Sequence, residues 1–166
     1  MKINVAQLRK AIGARQSFTF HSPAEKLAGG DENFWLHGRL EISGEAVNNG
    51  RYISVSGIIC GTARLTCTRC LESFPLDVSV PFRETYREEG DDTDPDALSF
   101  NGDEIDIGEP VREALVIAEP LKALCREDCL GICAVCGANR NDTPCACDTA
   151  VPDPRFAALE KLLPKQ

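Results

Sequence analysis

Cysteines stand at positions 60, 67, 70, 125, 129, 133, 136, 145 and 147 of this 166-residue chain, and the only histidines are His21 and His37. All but Cys60 fall into close pairs: Cys67 with Cys70 in CTRC, Cys125 with Cys129 in CREDC, Cys133 with Cys136 in CAVC, and Cys145 with Cys147 in CAC. An odd number of thiols fits poorly with a closed disulfide framework. Two residues between paired cysteines let one tight turn offer both sulfurs to a single tetrahedral ion, so metal binding is the chemistry this spacing points to.

The most local set is Cys133, Cys136, Cys145 and Cys147. Gly137 follows the second of these, where a backbone able to take positive φ helps complete the turn, and residues 137–144, rich in Gly, Asn, Asp and Pro, form a return. Such a loop has too little apolar surface to fold unaided, so a zinc ion would supply much of its folding free energy, about 10–16 kcal/mol of binding in zinc-finger peptides. A second set, Cys67, Cys70, Cys125 and Cys129, would tie the middle of the chain to its C-terminal third. The cysteines between 125 and 147 could instead share one ion with exchangeable ligands or hold a two-zinc cluster. An iron–sulfur cluster and redox-active thiols are the other chemistries these residue types allow. Cys60 falls on an expected strand and reads as a small buried or half-buried thiol.

The elements that must position these thiols follow from periodicity. Asn4 as cap, Gln7, and Val5, Leu8 and Ile12 at helical spacing predict a short N-terminal helix. Gln16 to Phe20 reads as extended and residues 22–33 as a polar loop. From Phe34 the period becomes two, with Phe34, Leu36, Leu40, Ile42 and Ala46 on one face and His37, Arg39, Glu41, Ser43 and Glu45 on the other. Asn48-Asn49-Gly50 turns the chain into a second strand, with Ile53, Val55, Ile59, Ala63 and Leu65 in one parity. Phe74, Leu76, Val78, Val80 and Phe82 mark a third, so Cys67 to Ser73 is the hairpin at a sheet's end. Pro81 predicts a free or interrupted edge there. Glu104 to Ile107 is a further short strand. A helix opens at Pro110 with Val111, Ala114, Leu115 and Ala118 inward, and Pro120 ends it. Asp153-Pro154 caps a last helix bearing Phe156, Leu159 and Leu163 before Pro164.

The expected class is therefore α+β: an antiparallel sheet of long strands with short covering helices and a C-terminal Cys-rich zinc-knuckle segment. Residues 1–120 form the sheet domain. Residues 121–166 form the Cys-rich zinc-binding segment and terminal helix, packed on the first.

The net charge of −8 is unevenly placed: Glu88, Glu89, Asp91, Asp92, Asp94, Asp96, Asp103, Glu104 and Asp106 occur in 88–106 without a Lys or Arg. That segment reads as a solvated, self-repelling loop or as a contact for a basic partner. It argues against whole-surface affinity for nucleic acid, which draws on clustered cations. The opening residues lack the apolar run of a secretory signal and no stretch approaches a membrane span, so a cytoplasmic protein is expected.

Several motifs together resemble the YceD family of large ribosomal RNA subunit accumulation proteins: the C-x-x-C-L hairpin of Cys67 to Leu71, PLKALC from Pro120 to Cys125, DCLGICAVCGANRN from Asp128 to Asn141, then CAC and DPRFAALEKL. The resemblance implies a bacterial or plastid protein needed for normal accumulation of large-subunit ribosomal RNA, and does not itself name what the protein touches; the expected partner is precursor large-subunit RNA or a basic large-subunit ribosomal protein. Leu130 stands where the family often has Lys, Ala134 where it has Pro, and Arg140 where it has Leu. The thiols are all kept while the neighbouring surface differs.

An enzyme is the weaker reading. Cys70-Leu71-Glu72 supplies the C-x-E of a zinc deaminase but lacks its P-C-x-x-C partner. Both histidines lie outside the cysteine segments, and His37 reads as a solvated residue on a strand's polar face. No P-loop, G-x-G-x-x-G or G-x-S-x-G appears, and no small-molecule substrate is expected. The non-enzymatic rivals are a redox-switched zinc-thiolate holdase and an RNA-binding module. For the second, Arg64, Arg69, Arg83 and Arg87 around the hairpin, with Lys122, Arg126 and Arg140 near the knuckle, are the contact residues.

Overall fold

A computed structural model describes residues 1–30, 34–90, 94–148 and 155. Among them the chain is mostly sheet with few helices: β1 (Lys2–Asn4), β2 (Arg15–Pro23), α1 (Ala24–Leu27), β3 (Leu36–Asn48), β4 (Ile53–Thr66), β5 (Ser73–Glu88), β6 (Leu98–Phe100), β7 (Glu104–Asp106) and α2 (Gly108–Ile117). Two compact units emerge, one of Met1–Leu65 with Phe74–Leu121, the other of Thr66–Ser73 with Lys122–Gln166.

In the first unit β2-β3-β4-β5-β6 form one sheet and β1 pairs with β7 in a second, small one. The β2–β3 and β3–β4 ladders are antiparallel, but β5 and β6 run parallel from Tyr86↔Leu98 to Glu88↔Phe100, so the sheet is mixed rather than antiparallel throughout. Alternation sets the faces: Leu40, Ile42, Ala46, Ile53, Val55 and Ile59 are buried while Glu41 and Cys60 are exposed. Cys60 is thus an exposed thiol, contrary to expectation, because the alternation that buries Ile59 turns the next residue to the opposite face. The ladder between β3 and β4 slips by two residues between His37 and Glu41, and an even slip leaves Leu36 and Leu40 on the same face. Gly44 lies opposite Gly57, with Phe18 against the first and Phe82 against the second. A Cβ at either would strike the neighbouring strand's backbone and a ring, so the pair makes room for aromatics that close to a centroid distance of 6.5 Å.

Helix α2 buries Val111 and Leu115, and the Leu115 carbonyl accepts from Trp35 Nε1 at 3.1 Å. Each such buried aliphatic contributes about 1.5–3 kcal/mol. Tyr86 donates to the Asp106 carbonyl at 3.0 Å, which holds β7 beside β5.

Several expectations are corrected. The N-terminal helix is a strand and a single 3-10 turn, Leu8–Lys10. Val5 N–H donates to the Asp103 carbonyl (2.8 Å) and Asn48 Nδ2 donates to the Leu8 carbonyl (2.7 Å), leaving Ile12 exposed. Tertiary hydrogen bonds outweigh a weak local helix preference. The polar loop 22–33 contains α1, whose Ala24 and Leu27 are buried with Ala28. The acidic segment carries β6 and β7, and part of its charge is neutralised. Arg9 pairs with Glu88 and Asp103, Lys2 with Glu104, and the Met1 amine with Asp106. The expected last helix, with its cap at Asp153-Pro154, and Asp91 and Asp92 lie outside the described residues.

Candidate metal centres

The second unit gathers its thiols on two short turns. In Cys67-Thr68-Arg69-Cys70 the Leu71 N–H donates to the Cys67 carbonyl at 2.9 Å, and in Cys133-Ala134-Val135-Cys136 the Gly137 N–H donates to the Cys133 carbonyl at the same distance. The residue after the second cysteine has positive φ in both, +64° at Leu71 and +75° at Gly137. The first turn reaches the C-terminal segment through Thr68 N–H to the Ala123 carbonyl (2.9 Å) and Arg69 Nη1 to the carbonyls of Glu127 (3.0 Å) and Cys129 (2.9 Å). Gly131 passes so close that a Cβ there would lie 2.9 Å from the Arg69 carbonyl, and its φ is +71°.

These contacts bring together the sulfurs of Cys67, Cys70, Cys125 and Cys129, and separately those of Cys133, Cys136, Cys145 and Cys147; within each quartet all lie within 4.8 Å of one another. None is in a disulfide. In the first quartet Cys67 and Cys129 Sγ are 3.8 Å apart and Cys70 and Cys125 Sγ 3.7 Å apart. A tetrahedral ion with metal–sulfur bonds of about 2.3 Å requires thiolates about 3.8 Å apart, so the donor set fits a single ion. Each quartet could hold a metal ion.

The electrostatics agree. Burial opposes ionisation of Cys67, but the N–H groups of Cys125, Cys70 and Arg69 aimed at its sulfur outweigh that and bring the thiol down to about 6. The N–H groups of Cys136 and Val135 do the same for Cys133, also to about 6, against burial. Cys125 is pushed up to about 12, first by burial and then by the neighbouring thiols, and Cys147 to about 12, first by the Cys136 thiol and then by burial. Cys67 and Cys129 in the first quartet and Cys133 in the second ionise more readily than a free thiol, while Cys70, Cys125, Cys145 and Cys147 resist. Two like charges about 4 Å apart repel by about 4 kcal/mol at an effective dielectric of about 20, and a bound cation removes that obstacle.

The sequence passed over the side chains that join the loops. Asn139 Nδ2 donates to Glu72 Oε1 at 2.9 Å and to Asp142 Oδ2 at 2.8 Å, so the Glu72 weighed as a deaminase base is a hydrogen-bond partner of the return loop. Asn141 Nδ2 donates to Cys129 Sγ at 3.4 Å, and Asn141 Oδ1 accepts the Leu130 N–H at 2.8 Å. The signal that could have found them is the Asn-x-Asn placed between two ligand pairs.

The expected contact cations are divided. Arg64, Arg83 and Arg87 belong to the first unit, and Arg69, Lys122, Arg126 and Arg140 to the second. Arg69 is engaged by the two carbonyls above, Arg126 pairs with Asp128 at 3.5 Å, and Arg87 donates to the Ala97 carbonyl at 3.3 Å. Arg64, Arg83, Lys122 and Arg140 are exposed.

A family model described as large ribosomal RNA subunit accumulation protein YceD matches residues 55–163. The chain belongs to the YceD family. This YceD-family chain is 30% identical over 173 residues to an uncharacterized protein of Mycobacterium tuberculosis, covering 98% of this chain and 81% of the relative. It is 27% identical over 128 residues to a maize protein named large ribosomal RNA subunit accumulation protein YCED homolog 1, chloroplastic, covering 57% of this chain and 44% of the relative. The Arabidopsis thaliana protein of the same name is 26% identical over 155 residues, covering 74% and 48%. No solved structure matches the chain. The YceD match spans both thiol quartets. No helix among the described residues is long and apolar enough to cross a membrane.

Proposed function

We propose that this chain is a non-enzymatic, cytoplasmic ribosome-biogenesis factor that supports accumulation of large-subunit ribosomal RNA. It binds precursor large-subunit RNA or a basic large-subunit ribosomal protein, and two zinc ions stabilise its second unit. The observation that carries the reading is the YceD match across residues 55–163, which contain both quartets.

The donor chemistry supports structural zinc. Catalytic zinc keeps a coordination position open for water, whereas four thiolates fill a tetrahedron. An iron–sulfur cluster spreads its cysteines over several metal atoms, while the sulfur separations here suit one. When bound, the ion supplies the positive charge that lets four thiolates stand together. Cys67, Cys70, Cys125 and Cys129 hold the hairpin to the C-terminal segment; Cys133, Cys136, Cys145 and Cys147 close the return loop. Among the seven expected contact cations, exposed Arg64, Arg83, Lys122 and Arg140 are offered for partner contact.

One observation favours a second reading, a redox-switched holdase: Cys136 is exposed, so oxidants reach that quartet directly. Affinity capture of the full chain from cells, with and without ribonuclease, tests the first reading. Large-subunit components should be recovered, and their loss with ribonuclease identifies RNA as the contact. Recovery of unrelated unfolded clients alone would overturn it in favour of the holdase.

A further inference from the structure

The return loop of the second quartet reaches back onto the first. Asn141 lies between Cys136 and Cys145 in sequence, yet its Nδ2 donates to Cys129 Sγ (3.4 Å) and its Oδ1 accepts the Leu130 N–H (2.8 Å). Asn139 fixes Asn141 by accepting both its N–H (3.0 Å) and its Nδ2 (2.8 Å) on Oδ1, and fixes the hairpin by donating to Glu72 (2.9 Å). The short link from Cys129 to Cys133 is held by the return loop and by the hairpin: Arg140 N–H donates to the Gly131 carbonyl at 2.8 Å, and Ile132 N–H to the Arg69 carbonyl at 3.0 Å. Both halves of the first quartet therefore touch a loop whose shape is set by the second.

From this we infer that Asn141 is a positioning residue coupling the two sites, so that an ion on Cys133, Cys136, Cys145 and Cys147 raises the affinity of Cys67, Cys70, Cys125 and Cys129 for theirs. The inference rests on the proposed metal sites. The physical argument has two parts. A donor aimed at a ligand sulfur stabilises its thiolate form and fixes its direction, and such partners typically change metal affinity about 10–100-fold. The loop that carries this donor has few apolar contacts of its own, since Ala138, Asn139, Asn141 and Cys145 are only half-buried and the other residues of 137–145 are exposed, so its order depends on closing the second quartet. Coupling between binding sites is reciprocal, so filling the first also favours the second.

The test is a zinc–chelator competition on the full-length protein, read by mass spectrometry of thiol alkylation, which reports each cysteine pair separately. Asn141→Ala removes the donor to Cys129, and with it the acceptor for Leu130 and the bond to Asn139, without setting a charge beside the thiolates. It should make the first quartet lose zinc at a chelator activity about 10-fold lower or more. Cys133→Ser, which removes no ligand of the first quartet, should weaken that quartet by at least a similar factor. Trp35 emission identifies any variant whose sheet unit has failed to fold; Asn139→Ala then replaces it in the same comparison. A first quartet that keeps its wild-type resistance in these variants overturns the coupling while leaving the metal sites standing. Wild-type protein whose thiols are unprotected at every zinc activity overturns the metal sites and the coupling with them.

Discussion

The thiol turns at Cys67–Leu71 and Cys133–Gly137 share a hydrogen-bond pattern and a handedness, yet they serve quartets of different kinds. The first quartet draws its halves from positions far apart in sequence and buries Cys67, Cys70 and Cys129. The second closes within one short stretch, buries Cys133 and leaves Cys136 exposed. Joining distant segments removes more freedom from the unfolded chain than closing a short loop, so the first quartet constrains topology and the second mainly shapes a surface turn. The turns differ in strain as well. Gly137 occupies the left-handed region freely, whereas Leu71 adopts it with a side chain, at a cost of about 1–2 kcal/mol, while 62% exposed.

The largest expected effect comes from withdrawing metal. Excess chelator at neutral pH should abolish amide protection across 122–148, since structural zinc contributes on the order of 10 kcal/mol or more to folding of such segments. The quartet containing Cys136 should empty first. Equal rates for the two, measured by alkylation, would erase the contrast between a buried and an exposed site. Next in size is Gly131→Ala, which places a methyl group against the Arg69 carbonyl and forces alanine to positive φ. A loss of about 1–3 kcal/mol is expected in chemical denaturation of the metal-loaded protein, and an unchanged midpoint would contradict the close approach. The smallest effect separates the turns. Leu71→Gly should stabilise the loaded protein by about 1 kcal/mol and Gly137→Ala should destabilise it by a similar amount. Shifts of the same sign in thermal melts would mean the two turns are not equivalent.

The four close thiol pairs are legible because a two-sulfur turn is a local device. Which pairs converge is not local: the meeting of Cys67 and Cys70 with Cys125 and Cys129 depends on carbonyls taken by Arg69 and on the absence of a side chain at Gly131. Asn139 and Asn141 read as generic turn residues: their Asn-x-Asn placement between two ligand pairs marks a built loop, but not which sulfur of another loop Asn141 reaches. In the sheet unit, alternation located β3 and β4 because one face of each is buried, and β5 because Val80, Phe82 and Tyr86 are buried along its second half. It failed at the N-terminus, where the Val5 N–H donates to the Asp103 carbonyl and the Leu8 carbonyl accepts from Asn48 Nδ2, so long-range pairing rather than helical period holds both residues inward. It also missed α1, where Ala24, Leu27 and Ala28 lie at one-turn spacing among polar neighbours.

The even slip between β3 and β4 has a consequence for how this family can diverge. Adding or deleting a pair of residues near Gly38 would lengthen or shorten the irregular stretch while every leucine and isoleucine beyond it keeps its orientation. A single-residue change there would turn the whole remaining strand inside out. Length variation among descendants should therefore accumulate at this spot in steps of two.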